Sequence, residues 1–318
     1  GLQTTFVDSL YWFWEWEEPA AVAATLREKS PDAVSFEEYD PHHRKLVGHV
    51  LADRSYLQWY PDSERTDLDP GAVGTVTEVN PVIDDRYTDD DRRDRVVVSL
   101  CGQLSPAVSE SQAVQYAQQV VELLEPALRS ASESGYGVVV TGNERVTSQL
   151  SVPFPVSALG HDEMLRTVGR AAVLLCPPSI TSVYEATLSD VPVVFLPEQH
   201  AGHWENYRRL AAVSDEAFDG FLIGTSESAA DVYDGSSLNE DDGEAAARRI
   251  QEYVGETPVG RLRSELGGRI SLSEYLGDRG KRLGRRQRRA LFGNGEVPSG
   301  AHRIAADHLG ARLRITND

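Results

Sequence analysis

Residues 177–197 read PPSITSVYEATLSDVPVVFLP. Ser179, Thr181 and Ser182 place three hydroxyls within four residues, and a lone carboxylate, Glu185, follows. Two prolines end the apolar run before them, since proline fixes φ and offers no N–H. A helix is expected over residues 181–189. The first turn of a helix presents unpaired N–H groups and the positive end of its dipole, which together attract phosphate. Serine and threonine hydroxyls there add donors. The competing reading is purely structural. Ser182-x-x-Glu185 has the spacing of a capping box, in which both side chains serve only the helix's own N–H groups.

The elements around this stretch decide where it would sit. VVVSL (96–100) is a continuous apolar run, as expected of a strand covered on both faces. Ser109 and Gln112 form a capping-box pair ahead of AVQYAQQVVELLEPAL, an amphipathic helix. GVVVT (137–141) is the next strand, HDEMLRTV (161–168) a short helix and AVLLC (172–176) another strand. VVFL (193–196), the helix WENYRRLAAV and a short strand FLI (221–223) follow. Repeated β-α-β units with short connections predict an α/β fold: a Rossmann-like, doubly wound parallel sheet over residues 96–265. Ligands of such sheets bind beyond the carboxyl ends of the strands. Those ends carry CGQLSP, GNE, PPSITS and PEQHAGH, all small, polar or hydroxylic. No P-loop lysine and no G-x-G-x-x-G motif accompanies them. A phosphate held here would rely on amides and hydroxyls, with Gly102 allowing close backbone approach.

Residues 1–83 hold fewer elements than a full α/β domain. TTFVDSL (4–10), SYLQWY and GAVGTVTEV are strand-like, and HHRKLVGHVLAD (42–53) is helical. DDRYTDDDRRDR (84–95) reads as a hydrated polar linker. Helical segments occupy 266–318.

The net charge of −19 argues against nucleic-acid and anionic-membrane binding, which need a basic footprint. Only three of the 31 basic residues are lysine. No run approaches the ~20 apolar residues of a membrane span, and no secretory signal is visible. A cytoplasmic protein is expected. Cys101 and Cys176 have no metal-ligand spacing around them and read as small buried hydrophobes.

HDEMLRTVGRAAVLLCPPSITSVYEATLSDVPVVFLPEQH resembles the donor-binding segment of GT-B fold nucleotide-sugar glycosyltransferases, and within them the superfamily of the GlcNAc transferase that forms lipid II. VVVSLCGQLSP resembles the first loop of that family's C-terminal domain, and VGTVTEVNPV (73–82) the end of its N-terminal domain. The resemblance implies a role for each matching residue. Glu185 would bind both ribose hydroxyls, a task suited to a carboxylate that accepts two hydrogen bonds. Thr181 and Ser182 would meet the diphosphate, with Gly102 and Gln103 on the phosphate side. Backbone near Gly160 and His161 would read the base. Gln199, His200 and His203 would touch the transferred sugar, supported by Asn206. Ser179 stands where many relatives have glycine. FVDSLYWFW resembles a late acceptor-side loop of the N-terminal domain, which implies that the first βα units are absent and the N-terminal domain incomplete. Asp8 is then the acid best placed for acceptor binding or base duty; a turn aspartate is the bland alternative.

The resemblance implies transfer of a sugar from a UDP-sugar to a small-molecule acceptor by in-line displacement, with no metal and no cofactor beyond the UDP-sugar co-substrate. YWFWEWEEP (11–19), with SYLQWYP, resembles the cytosylglucuronate synthases of nucleoside-antibiotic pathways, implying UDP-glucuronate and cytosine. Five aromatics in six residues also fit a hydrophobic seam. RGKRLGRRQRR (279–289) reads as a helix surface paired to acidic neighbours. Two alternatives stand beside the transferase: a UDP-sugar 2-epimerase, and a non-catalytic nucleotide-sugar-binding or auxiliary subunit. The oligomeric state is not legible.

Overall fold

The computed structural model describes residues 4–8, 24–26, 28–29, 47–61, 75–84, 86, 93–102, 104, 108–214, 216–226, 230–233, 240–267, 271–294 and 299–315. The aromatic stretch 11–19, Gln103 and most of the charge run 84–95 lie outside these residues. The chain divides into two compact units, residues 1–84 with 296–318 and residues 85–295.

The first unit holds three parallel strands in the order β1 (Thr5–Asp8), β2 (Arg54–Gln58) and β3 (Thr75–Val79). Phe6 pairs with Ser55, and Ser55 with Val76. Residues 47–51 are helical ahead of β2. The C-terminal helix Gly300–Ile315 also belongs to this unit, although it lies more than two hundred residues away in sequence. Thr5 Oγ1 meets His308 Nε2 at 2.9 Å, and Tyr56 donates to Asp307 Oδ2 at 3.2 Å. The buried Ser299 hydroxyl donates to Ile83 O and accepts from Ile83 N.

The second unit is a five-stranded, wholly parallel sheet in the order β6-β5-β4-β7-β8. These strands are β4 (Arg95–Ser99), β5 (Gly137–Thr141), β6 (Val156–Ser157), β7 (Ala171–Cys176) and β8 (Val193–Phe195). All six residues of β7 are buried, as befits a strand covered on both faces. Val96, Val98 and Leu100 point into a core shared with helix α1 (Glu110–Glu133). Val97, Leu174 and Val193 are equally buried but lie outside that core, facing the other helical layer. Helix α1 begins in the expected capping box, with Ser109 and Gln112 satisfying each other's backbone N–H groups.

Helices α2 (His161–Gly169), α3 (Ile180–Leu188) and α4 (Ala201–Val213) follow β6, β7 and β8. Helix α5 (Glu240–Glu256) lies against α1, where Gln112 Nε2 donates to Glu252 and Gln115 Nε2 to Gly255 O. Helix α6 (Gly277–Phe292) contains the basic run. Its inner face is Gly280, Gly284, Gln287 and Leu291. A Cβ on Gly284 would collide with Asp190 O, so the helix reaches this depth only because glycine is there. The buried Gln287 amide accepts from Val193 N at 2.8 Å and donates to Val193 O and Ala217 O. One side chain thus satisfies both backbone groups of Val193 on the outer edge of β8.

Two expectations need correction. FLI (221–223) is not a strand. Phe195 bridges Gly220, and the chain then turns into a 3-10 helix at Ile223–Thr225. The buried Glu198 carboxylate accepts from Ile223 N at 2.7 Å and Gly224 N at 3.1 Å, which bends the backbone off the strand path. The end of the charge run is not merely hydrated. The Arg93 guanidinium donates to Gly169 O and Ser189 O, closing the carboxyl ends of α2 and α3 with a cation. No helix among the described residues is long and apolar enough to cross a membrane.

Candidate functional site

Neighbouring strands β4 and β7 carry the two loops of most interest. Val98 pairs with Leu175, so the strands end side by side. After β4, Cys101 takes the left-handed conformation, φ 56°, and Gly102 follows. Among the described residues, a Cβ on Gly102 would meet nothing within 4 Å. After β7 come Pro177, Pro178 and Ser179, and α3 begins at Ile180.

The capping-box reading of Ser182 and Glu185 fails on position. The N-cap is Ser179, which puts Ser182 at the third residue of the helix and Glu185 at the sixth. No side chain caps this terminus, and the Ser182 hydroxyl instead meets Ser179 Oγ at 3.5 Å. The first-turn amides, including those of Thr181 and Ser182, therefore take no side-chain cap. Glu185 is not consumed by the helix start. At ~1.5 Å per residue it stands about 9 Å along the axis from Ser179.

Cys101 joins these groups. Its thiol lies 3.7 Å from Ser99 Oγ and within interaction range of Ser179, Ser182 and Glu185. Burial raises its pKa, and the Glu185 charge adds to the effect, so the thiol is neutral at pH 7. Sequence reasoning treated Cys101 as a buried hydrophobe; its place between Ser99 and Gly102 in a polar strand end was the available signal. Cys176 matches that bland reading, being fully buried with a pKa pushed well up by desolvation. Both cysteines are free.

The loop after β8 is tied to the other two. Gln199 Nε2 donates to Leu100 O at 2.7 Å, bracing the end of β4. Asn206 Nδ2 donates to Pro178 O at 2.6 Å, bracing the turn before α3. Gln199 N donates to His203 Nδ1 at 3.2 Å, which leaves the proton of a neutral imidazole on Nε2. Burial, and the neighbouring His200, hold the His203 pKa well below the usual value. The two ring centroids lie 3.8 Å apart, with the planes tilted by 33°. Gln199, His203 and Asn206 are buried, whereas His200 is exposed. The structure therefore brings the expected sugar-contacting residues together but ties Gln199 and His203 to the protein's own backbone, while Asn206 supports the turn before α3. Glu198, absent from the sequence expectations, is fully buried, and desolvation raises its pKa to about 7. Its signal was a lone acid between a proline-ended strand and a helix.

Gly160 caps α2 and His161 opens it, at the carboxyl end of β6, two strands from β4. Both are exposed, and a Cβ on Gly160 would meet nothing within 4 Å. In the first unit, Asp8 ends β1 but is only 3% exposed, with Oδ2 on His49 Nε2 at 3.2 Å. Phe6 lies edge-on to the His49 ring. Asp8 is thus half of a buried pair. Among the described residues no cluster of three or more His, Cys, Asp or Glu side chains is placed to hold a metal.

No protein-family model matches the chain, and no curated protein sequence matches it. Solved structures similar to it include Phytolacca americana UGT2 complexed with UDP-2fluoro-glucose and pterostilbene, at 15% identity and a TM-score of 0.39, over 84% of this chain and 57% of that one. The spinosyn rhamnosyltransferase SpnG, complexed with spinosyn aglycone, is 14% identical with a TM-score of 0.41 over 80% of each chain. The calicheamicin glycosyltransferase CalG4 is 12% identical with a TM-score of 0.41, over 98% of this chain and 66% of that one. Likeness at these scores carries no weight about activity.

Proposed function

We propose that the carboxyl edge of the second sheet binds a UDP-sugar and that the protein transfers the sugar to a small-molecule acceptor. The observation that carries this reading is the uncapped start of α3 beside the open Gly102 loop, with Glu185 one and a half turns further on. A diphosphate at Ser179–Ser182 would take the first-turn amides and the Thr181 and Ser182 hydroxyls as donors. Glu185 would accept from the ribose hydroxyls, and the Gly160–His161 backbone would read the uracil edge.

In the transfer itself, the acceptor oxygen or nitrogen attacks the anomeric carbon as the bond to the diphosphate breaks. Charge builds on the leaving diphosphate, where fixed amides and the helix dipole stabilise it without reorganising. Gln199 and Asn206 keep the three loops in register, and His200 is the exposed side chain next to the sugar position. The finer reading, glucuronate as the sugar and cytosine as the acceptor, rests on the N-terminal resemblance alone.

The test is a thermal-shift screen of the protein against UDP- and dTDP-sugars, followed by product mass for the best donor with cytosine among the acceptors. A UDP-sugar-selective stabilisation and a product heavier by one glycosyl unit are expected. No stabilisation by any nucleotide sugar would overturn the proposal.

A further inference from the structure

The amino edge of the same sheet holds a cavity of about 180 Å³. Arg93 ahead of β4, Tyr136 ahead of β5, and Asp190 and Pro192 ahead of β8 line it, and Gly277 and Lys281 of α6 close it. It lies at the opposite ends of the strands from Gly102 and Ser179, separated by the five residues of β4, about 16 Å. The volume far exceeds the ~15 Å³ that one water needs. It falls below the ~300 Å³ at which pockets for drug-sized ligands begin. A small molecule fits it, and a nucleotide does not.

The lining specifies the chemistry. Arg93 is held rigidly by its two carbonyl partners. Lys281 is exposed and makes no ion pair among the described residues. Arg285 and Arg288 approach Asp190 at 4.0 and 3.8 Å, too long for hydrogen bonds. Two cations thus line the cavity and two more approach its one acid, in a chain whose net charge is −19. Asp190 is itself unusual. It is a non-glycine residue at φ 54°, its side chain is one-third exposed, and its Oδ1 faces Arg288 Nη1 at 3.8 Å without accepting a hydrogen bond. An ionised carboxylate offers lone pairs on both oxygens, so Oδ1 can still accept from a hydroxyl. A ligand that carries both an anion and a hydroxyl meets both demands.

We propose that this cavity binds a small phosphorylated polyol, its phosphate against Lys281 and Arg93 and a hydroxyl donating to Asp190 Oδ1. The site is independent of the proposed sugar-transfer site and gives the basic run of α6 a ligand.

Calorimetry on the full chain tests it with glycerol 3-phosphate, inorganic phosphate and glycerol, each with and without saturating UDP. Glycerol 3-phosphate is expected to bind at least tenfold more tightly than inorganic phosphate. Glycerol shows no heat, and UDP leaves the affinity unchanged. Lys281→Gln, an exposed change that leaves the melting temperature in place, lowers the affinity at least tenfold. Asp190→Gly, which adopts φ 54° without strain, brings glycerol 3-phosphate down to the level of inorganic phosphate. Equal binding of the two phosphates would mean an adventitious ion only and overturns the proposal. So does an absence of binding, competition by UDP, or an unchanged affinity in Lys281→Gln.

Discussion

Glu198 ties acidity to stability in a direction opposite to that of most carboxylates. Its side chain is fully buried, and desolvation raises its pKa from 4.5 to about 7 against the pull of the Ile223 and Gly224 amides. The folded protein therefore holds this proton more tightly than the unfolded chain does. Stability from the group is fully present below pH 4.5 and falls as pH rises through 7. At ~1.4 kcal/mol per pKa unit, a rise of that size corresponds to about 3 kcal/mol. Glu198→Gln removes the titration while keeping the shape and one acceptor for the 223–224 amides. Urea unfolding of both proteins from pH 4.5 to 8 isolates the group. The wild type should lose about 3 kcal/mol relative to Glu198→Gln across this window. Parallel stability curves, or a wild type that gains on the variant as pH rises, would refute the burial argument.

Gln287→Ala strips Val193 and Ala217 of buried hydrogen bonds and should cost about 3 kcal/mol in urea unfolding, the penalty of orphaned backbone groups. Gly284→Ala sets a helix-propensity gain of ~1 kcal/mol against the collision with Asp190 O; overpacking of ~1–3 kcal/mol should win, giving a lower urea midpoint. Asp8→Ala leaves the His49 imidazole without its buried partner, so the first unit should lose about 3 kcal/mol in the same assay. Asn206→Ala frees the Pro178 carbonyl that orients the start of α3. It should weaken UDP binding about tenfold by calorimetry, the worth of one well-placed hydrogen bond to a positioning residue.

Local rules read well where neighbours alone decide the outcome. GVVVT is β5 to the residue, and Ser109 with Gln112 makes the capping box that its spacing announces. The same rule misfired at Ser182 and Glu185, because Ser179 starts the helix three residues earlier than the box requires. FLI has strand composition, yet a carboxylate 25 residues upstream decides its path, which no local window contains. The cations of α6 do find acids, as Arg286 with Glu216 and Arg279 with Glu274 show. Its buried stripe of Gly280, Gly284 and Gln287 became visible only against Tyr275, Asp190 and Val193. At the site, residue types and strand ends were legible. Burial was not: Gln199 and His203 suggested ligand contacts, but they are buried and bond to the protein's own backbone.

The central claim is that α3 presents its first turn to a diphosphate and Glu185 to a ribose. Calorimetric titration of UDP into the intact protein and into Glu185→Ala tests it most directly. Two hydrogen bonds to a charged carboxylate, at ~1.5–3 kcal/mol each, predict at least about a 100-fold loss of affinity. The melting temperature should stay within a few degrees, since the start of α3 takes no side-chain cap. UDP binding that is unchanged in Glu185→Ala, or absent from the folded wild type, would contradict the account.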